Sequence, residues 1–279
     1  MHAAQPALSY APDGGAAVSD EALAALVEQV RAGREYAALA PDFVIGIAAV
    51  ELAHRGPGKA TTKAVRSRLH QMVGAYEAPP ADAPARLAAA SDEELPALAA
   101  QLRGRHASTR EREAAAADFW SAVLADLPQP VSITDLACGL QPLSLPLVDL
   151  PRDVLYRAFD VHLGILATAE AFLQRWGQTH EVGSWDLLAG PPPGGHDLVL
   201  LLKTLPCLEQ GRRGAGRALL AALEAQTVIV TYPLRSLGGR QVGMADHYRQ
   251  QLAASVDGMP WRVEPLDLRG ELGFRLRRA

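Results

Sequence analysis

Two apolar runs hold the residues of this chain that could do chemistry. TDLACGLQPLSLP at 134–146 and DLVLLLKTLPCLE at 197–209 each read as a buried strand that breaks into small or polar residues, where an α/β sheet presents its ligand. In the first run Ala137, Cys138 and Gly139 let the backbone approach a ligand closely. The next apolar run, VLYRAFD, ends in Asp160, an acid placed where many nucleoside-binding α/β proteins grip ribose hydroxyls. No GxGxxG is present, so the pair points to an adenosine-containing cofactor other than a dinucleotide. The plainer alternative makes Gly139 an ordinary turn and Asp160 a helix cap. Asp186, in WDLL, can accept from an adenine amino group or can cap a helix. Lys203 follows the apolar positions 198–202, and burying an unpaired ammonium there is costly, so it should face a cleft or pair with Asp186 or Glu209. Cys138 and Cys207 lack CxxC spacing and a nearby histidine, which argues against a zinc site or disulfide framework and for a reducing cytoplasm.

These residues need a scaffold. Strand-like runs at 131–137, 154–159, 197–202 and 227–232 alternate with helical stretches at 161–176 and 214–225, which implies a parallel sheet. WRVEPLDL and ELGFRLRR flank Arg269-Gly270 as a closing antiparallel hairpin. Ser108-Thr109-Arg110-Glu111 matches a capping box opening a helix that runs to about Leu127. Upstream, a helix starts at Ser19 or Asp20 and ends near Gly33, and others cover 42–54, 60–75 and 92–103, with Pro79, Pro80 and Pro84 breaking the chain between them. The expected organisation is a loose leader (1–18), a small helical domain (19–105) and an α/β domain (106–279).

Net charge is −4 and the isoelectric point about 6.1, so no global basic field announces a nucleic-acid partner and local clusters must carry that case. Three lysines stand against 24 arginines, a bias that follows genome composition and gives the arginine count no weight by itself. Three basic clusters do stand out. One comprises Arg55, Lys59, Lys63, Arg66 and Arg68 with His54 and His70; the others are Arg103, Arg105, Arg110 and Arg112, and Arg212, Arg213, Arg217, Arg235 and Arg240. An anionic polymer could bridge them, although any single cluster also reads as a solvated face. The N-terminus lacks the pattern of an export signal and no stretch is apolar enough to span a membrane.

HASTRER at 106–112, DLACGLQPL, LLLKTLPCLE and RSLGGRQVGM at 235–244, in this order and spacing, resemble the aminoglycoside-resistance 16S rRNA methyltransferases. The similarity is to their guanine-N7 branch, the Arm/Rmt and actinobacterial producer enzymes, and extends from about residue 20 to the C-terminus. It implies a helical N-terminal domain that docks the 30S subunit. It also implies a class I S-adenosylmethionine domain: Rossmann-like, with a mostly parallel sheet and a C-terminal antiparallel hairpin. By the same resemblance Arg110 binds the methionine carboxylate, Ala137 and Gly139 line the methionine side, Asp160 holds the ribose, and Asp186, Leu187 and Leu202 border the rest of the cofactor. Lys203 and Arg240 are the implied catalytic residues, and Lys59, Lys63, Arg66, Arg68, Arg235, Ser236, Arg240 and Met244 the implied RNA contacts, with Tyr248 beside them. The implied partner is 16S rRNA within the 30S subunit, met by a cytoplasmic monomer. The implied reaction modifies a decoding-site guanine and so protects against 4,6-disubstituted deoxystreptamines. Guanine N7 carries a lone pair and no proton, so alignment and desolvation suffice without a general base. Tyr232 could stack on the extruded base or be a buried strand-end tyrosine.

Two positions depart from the family pattern. Beyond Gln210, which directly follows CLE, Gly211 and Arg212 stand where the family pattern leads one to expect a glutamine, and His162 replaces a common second acid after Asp160. They motivate one rival, a 30S-binding homologue that has lost catalysis; a second rival, within enzymes, is methylation of the neighbouring adenine N1.

Overall fold

The computed structural model describes residues 19–33, 35–74, 78–105, 107–110, 112, 115–234 and 244–279. The described residues form one seven-stranded sheet in the order β3-β2-β1-β4-β5-β7-β6. Its strands are β1 (Ser132–Leu136), β2 (Leu155–Asp160), β3 (His180–Ser184), β4 (His196–Leu202), β5 (Ala225–Pro233), β6 (Trp261–Leu266) and β7 (Glu271–Arg278). The first five run parallel, and β7 inserts antiparallel between β5 and β6 as the hairpin pattern predicts. Strand order reverses between β1 and β4, and such a switch point opens a crevice at the carboxyl ends of the strands.

Side-chain alternation divides the core in two. Leu136, Val199, Leu201, Val228 and Val230 face a front layer of α1 (Asp20–Arg31), α2 (Pro41–Arg55), α3 (Lys59–Val73), α9 (Thr204–Gly211), α10 (Ala215–Ala222) and α11 (Met244–Val256). Ile133, Leu198, Leu200 and Ile229 face a back layer of α4 (Ala83–Ala89), α5 (Leu95–Arg103), α7 (Ala116–Leu124) and α8 (Leu163–Trp176). Between α5 and α7 lies the four-residue α6 (Ala107–Arg110). The helices of 19–105 therefore do not make one separate unit: α1–α3 pack on the front of the sheet, and α4 and α5 on its back. Pro84, read as a break, sits in the first turn of α4, where a missing N–H costs nothing.

The helix caps differ from expectation as well. Ser19 caps α1, its Oγ accepting from the Ala22 amide at 3.2 Å. Ser108, however, falls inside α6, and Glu111 lies outside the described residues. The reciprocal box that forms is Ser91 with Glu94: the Ser91 amide donates to Glu94 Oε2 at 3.0 Å and the Glu94 amide to Ser91 Oγ at 3.3 Å, ahead of α5. Strand β3, HEVGS, escapes sequence reading because a half-buried edge strand lacks a strong alternation.

Candidate active site

A cleft opens at the carboxyl ends of β1, β2 and β4, the edge at which an open α/β sheet binds its ligand. It brings together Ala137, Gly139, Asp160, Asp186, Leu187, Leu202 and Lys203, residues spread over 67 positions of sequence. Phe43, Met72 and Val73 of the N-terminal helices close one side.

The turn after β1 is left-handed at Ala137 (φ 56°) and Gly139 (φ 52°), the former at a steric cost of about 1–2 kcal/mol. The Gly139 amide donates to Asp160 Oδ2 at 3.0 Å and the His162 amide to Oδ1 at 2.9 Å, so the carboxylate is fixed at the cleft floor. Each oxygen keeps a lone pair for a ligand hydroxyl. Burial raises the Asp160 carboxyl above its ordinary value although these amides oppose the shift. Asp186 caps the short 3-10 helix Leu187–Ala189, accepting from the Leu188 amide at 2.9 Å, and also lines the cleft. The apolar slot beside it contains Trp185, whose indole donates to the Gly190 carbonyl at 2.9 Å. A left-handed, small-residue turn, a fixed carboxylate and an apolar slot suit an adenosine-type ligand.

Lys203 stands at the other end. It is left-handed too (φ 60°), its amide donating to the Thr231 carbonyl at 3.0 Å, and its ammonium lies 3.1 Å from Glu271 Oε1. Strain at two non-glycine positions in one cleft is the kind of feature that clusters at functional sites. Glu271 takes a two-pronged bond from Arg112 at 2.8 and 2.9 Å, and Arg112 in turn reaches Gln141 Oε1 at 2.6 Å and lies over the Phe119 ring. Burial alone would raise the Glu271 carboxyl, but Arg112 and Lys203 outweigh it and hold it below its usual value. Glu209, a partner expected for Lys203, instead caps the amides of Gly214 and Gly216 at 2.8 and 2.9 Å.

Sequence reading missed Glu271 and the buried Arg112. Lys203's need for a counter-charge was legible, but nothing along the chain links position 203 with 271. Arg110 is exposed at the end of α6 and Arg112 is the buried guanidinium of that segment; neither is among the residues lining the cleft. Arg68 is bonded within the fold. Its Nε donates to the Gly211 carbonyl at 2.9 Å, joined by Nη2, and Nη1 to Glu51 at 2.9 Å, so it ties α3 to α9 and α2. Arg66 has one nitrogen on the Gln29 carbonyl at 2.9 Å, while Lys59 and Lys63 are exposed. Met244 opens α11; Arg235, Ser236 and Arg240 lie outside the described residues. Tyr232 is fully buried, stacked on half-buried Tyr248 at 4.6 Å.

Both departures from the family pattern have packing reasons. A Cβ at Gly211 would stand 2.6 Å from Met72 Cε, and Arg212 donates to the Leu188 carbonyl at 2.9 Å. His162 Nδ1 accepts from the Ile165 amide at 3.3 Å and caps α8.

The strand order, the cleft at its switch point and the fixed acid after β2 define a class I S-adenosylmethionine-dependent methyltransferase fold. Residues 31–273 match the family described as ribosomal RNA methyltransferase (FmrO), and the chain belongs to that family. It is 34% identical over 262 residues to a 16S rRNA (guanine(1405)-N(7))-methyltransferase of Micromonospora echinospora, covering 90% of this chain and 96% of the relative. A Frankia casuarinae protein with the same description is 34% identical over 280 residues, covering 95% and 99%. Among solved structures, the 16S rRNA methyltransferase RmtF in complex with S-adenosyl-L-homocysteine superposes with TM-score 0.78 at 29% identity, over 94% of this chain and 100% of that one. The 16S rRNA methylase RmtB follows at 0.76 and 26%, over 92% and 98%.

Proposed function

We propose that this chain methylates N7 of a guanine in the decoding A-site (helix 44) of 16S rRNA within the 30S subunit. It does so as a cytoplasmic monomer and thereby confers resistance to 4,6-disubstituted deoxystreptamine aminoglycosides. The observation that carries the reading is the cleft itself: a fixed carboxylate and apolar slot at one end, and at the other Lys203, paired behind the lining with buried Glu271 and through it with Arg112. When bound, S-adenosylmethionine supplies an electrophilic methyl group on sulfur. Asp160 holds the ribose, Asp186 and Leu187 border the adenine, and Ala137, Gly139 and Leu202 shape the cleft around the methionine. Arg112 supports Lys203 from behind through Glu271. Lys203, aimed by Glu271, orients the target base as the cleft excludes water. Guanine N7 needs no proton removed, so these residues need only align and desolvate. With Gly211 and His162 explained by packing, neither speaks for lost catalysis.

The test is transfer of labelled methyl groups to purified 30S subunits, with the modified nucleotide mapped. Label at guanine N7 of the decoding site supports the proposal; label at the adjacent adenine N1, or none, overturns it. Lys59→Ala and Lys63→Ala should each weaken 30S binding a few-fold and lower its salt slope by about one unit. An unchanged slope would remove both lysines from the docking face.

A further inference from the structure

Helix α3 takes part in two sites. Its first turns expose Lys59 and Lys63, and its last turn sets Met72 and Val73 into the wall of the cleft. At ~1.5 Å per residue the two ends are roughly 20 Å apart, a span that a regular helix bridges as a stiff rod. Its flank is tied on three sides. Thr62 Oγ1 donates to Gln29 of α1 at 2.9 Å. Arg68 holds Glu51 of α2 through Nη1 and the Gly211 carbonyl of α9 through Nε. Met72 rests on Gly211, where an added Cβ would stand 2.6 Å from Met72 Cε and push that side chain aside. Helix α9 starts beside Lys203 and lines the same cleft with Thr204, Cys207 and Leu208.

Resting on the 30S docking reading above, we propose that α3 couples ribosome docking to cofactor binding, with Arg68 as the positioning residue that transmits it. A ligand in the cleft gains contact with Met72 and Val73 only while α3 keeps its place, and a ribosome held by Lys59 and Lys63 keeps α3 in that place. Each binding event therefore strengthens the other, and by linkage the two factors are equal.

The experiment titrates S-adenosylhomocysteine calorimetrically into the full-length protein, alone and saturated with purified 30S subunits, and measures 30S affinity with and without S-adenosylhomocysteine. Each ligand should tighten the other by about 5-fold or more. Arg68→Met keeps the apolar stem and deletes the donors; it should bring the factor close to one with 30S binding itself within two-fold, and Gly211→Ala, which displaces Met72, should act likewise. Thermal unfolding confirms that both variants are folded. Equal affinities in the two states, or an undiminished factor in both folded variants, overturn the coupling. If wild-type protein does not bind 30S at all, the docking reading fails by itself. The α3 link is then judged by hydrogen exchange: S-adenosylhomocysteine should slow exchange of amides 59–65, and unaltered exchange there overturns it.

Discussion

The front and back layers of the sheet are made of similar alanine- and leucine-rich helices, yet they contribute different things to the cleft. The front layer supplies apolar wall: Phe43, Met72 and Val73 from the N-terminal helices, Cys207 and Leu208 from α9. The back layer supplies charge. Along β7, Leu272, Phe274 and Leu276 belong to the front cluster, so Glu271 and Arg275 point backwards. Arg275 donates to the Ala122 carbonyl of α7 at 2.7 Å, and Glu271 meets Arg112 over Phe119 of the same helix. Lys203 reaches over the sheet edge to join them. The comparison teaches that a wall needs only shape, whereas a buried charge needs a rigid, hydrogen-bonded setting.

The largest effect should come from cutting that charged cluster. Glu271→Ala leaves Arg112 and Lys203 buried without their carboxylate and should cost about 3–5 kcal/mol in denaturant unfolding. Because the folded-state pKa of Glu271 is depressed, its contribution is present above the ordinary carboxylate range and lost as pH falls through the folded value. Glu271→Gln should therefore flatten the acid limb of the stability curve; an unchanged limb would show that the pair is not ionised in the fold. Next in size, Lys203→Ala should slow methyl transfer to 30S by on the order of 10²-fold while S-adenosylhomocysteine affinity, read calorimetrically, stays within a few-fold. A loss of affinity with turnover intact would move Lys203 from orienting the base to holding the cofactor.

A paired substitution then tests the layers directly. Leu87→Ala, in the back layer, should destabilise by about 3 kcal/mol and leave cofactor affinity of the folded protein unaltered. Met72→Ala should do the reverse, costing less stability and weakening S-adenosylhomocysteine binding. Equal affinity losses would dissolve the distinction between the layers.

A separate effect concerns Asp135, buried beneath the cleft with Oδ2 accepting from Tyr156 at 2.8 Å and Oδ1 without a partner among the described residues. Burial pushes its carboxyl up to about 8. The folded state then binds its proton more tightly than the unfolded one, so stability should decline as pH rises from about 4 to about 8. Asp135→Asn should remove that slope in thermal unfolding across the range, and a slope that persists would assign it to another group.

The strands at 131–137, 154–159, 197–202 and 227–232 were legible because a buried parallel strand is continuously apolar and ends at a turn. The same runs marked Ala137, Gly139, Asp160 and Lys203, since the residues ending such strands must converge at one edge of a parallel sheet. Arg68 and Arg110 were not legible in the same way. A guanidinium in a basic cluster looks alike whether it faces solvent or bridges helices, and only the carbonyl of Gly211, 143 residues away, separates the cases.

The sequence by itself determined the α/β class, the identity of the cleft's floor and the requirement that Lys203 find a counter-charge, because these follow from local burial patterns and short-range turn chemistry. Tertiary structure alone decided that Glu271 is that counter-charge, that α3 walls the cleft while α4 and α5 pack on the back of the sheet, and that Met72 rests on Gly211. An amphipathic stripe or a buried charge states that a partner is needed; which partner it meets depends on contacts between residues far apart in the chain.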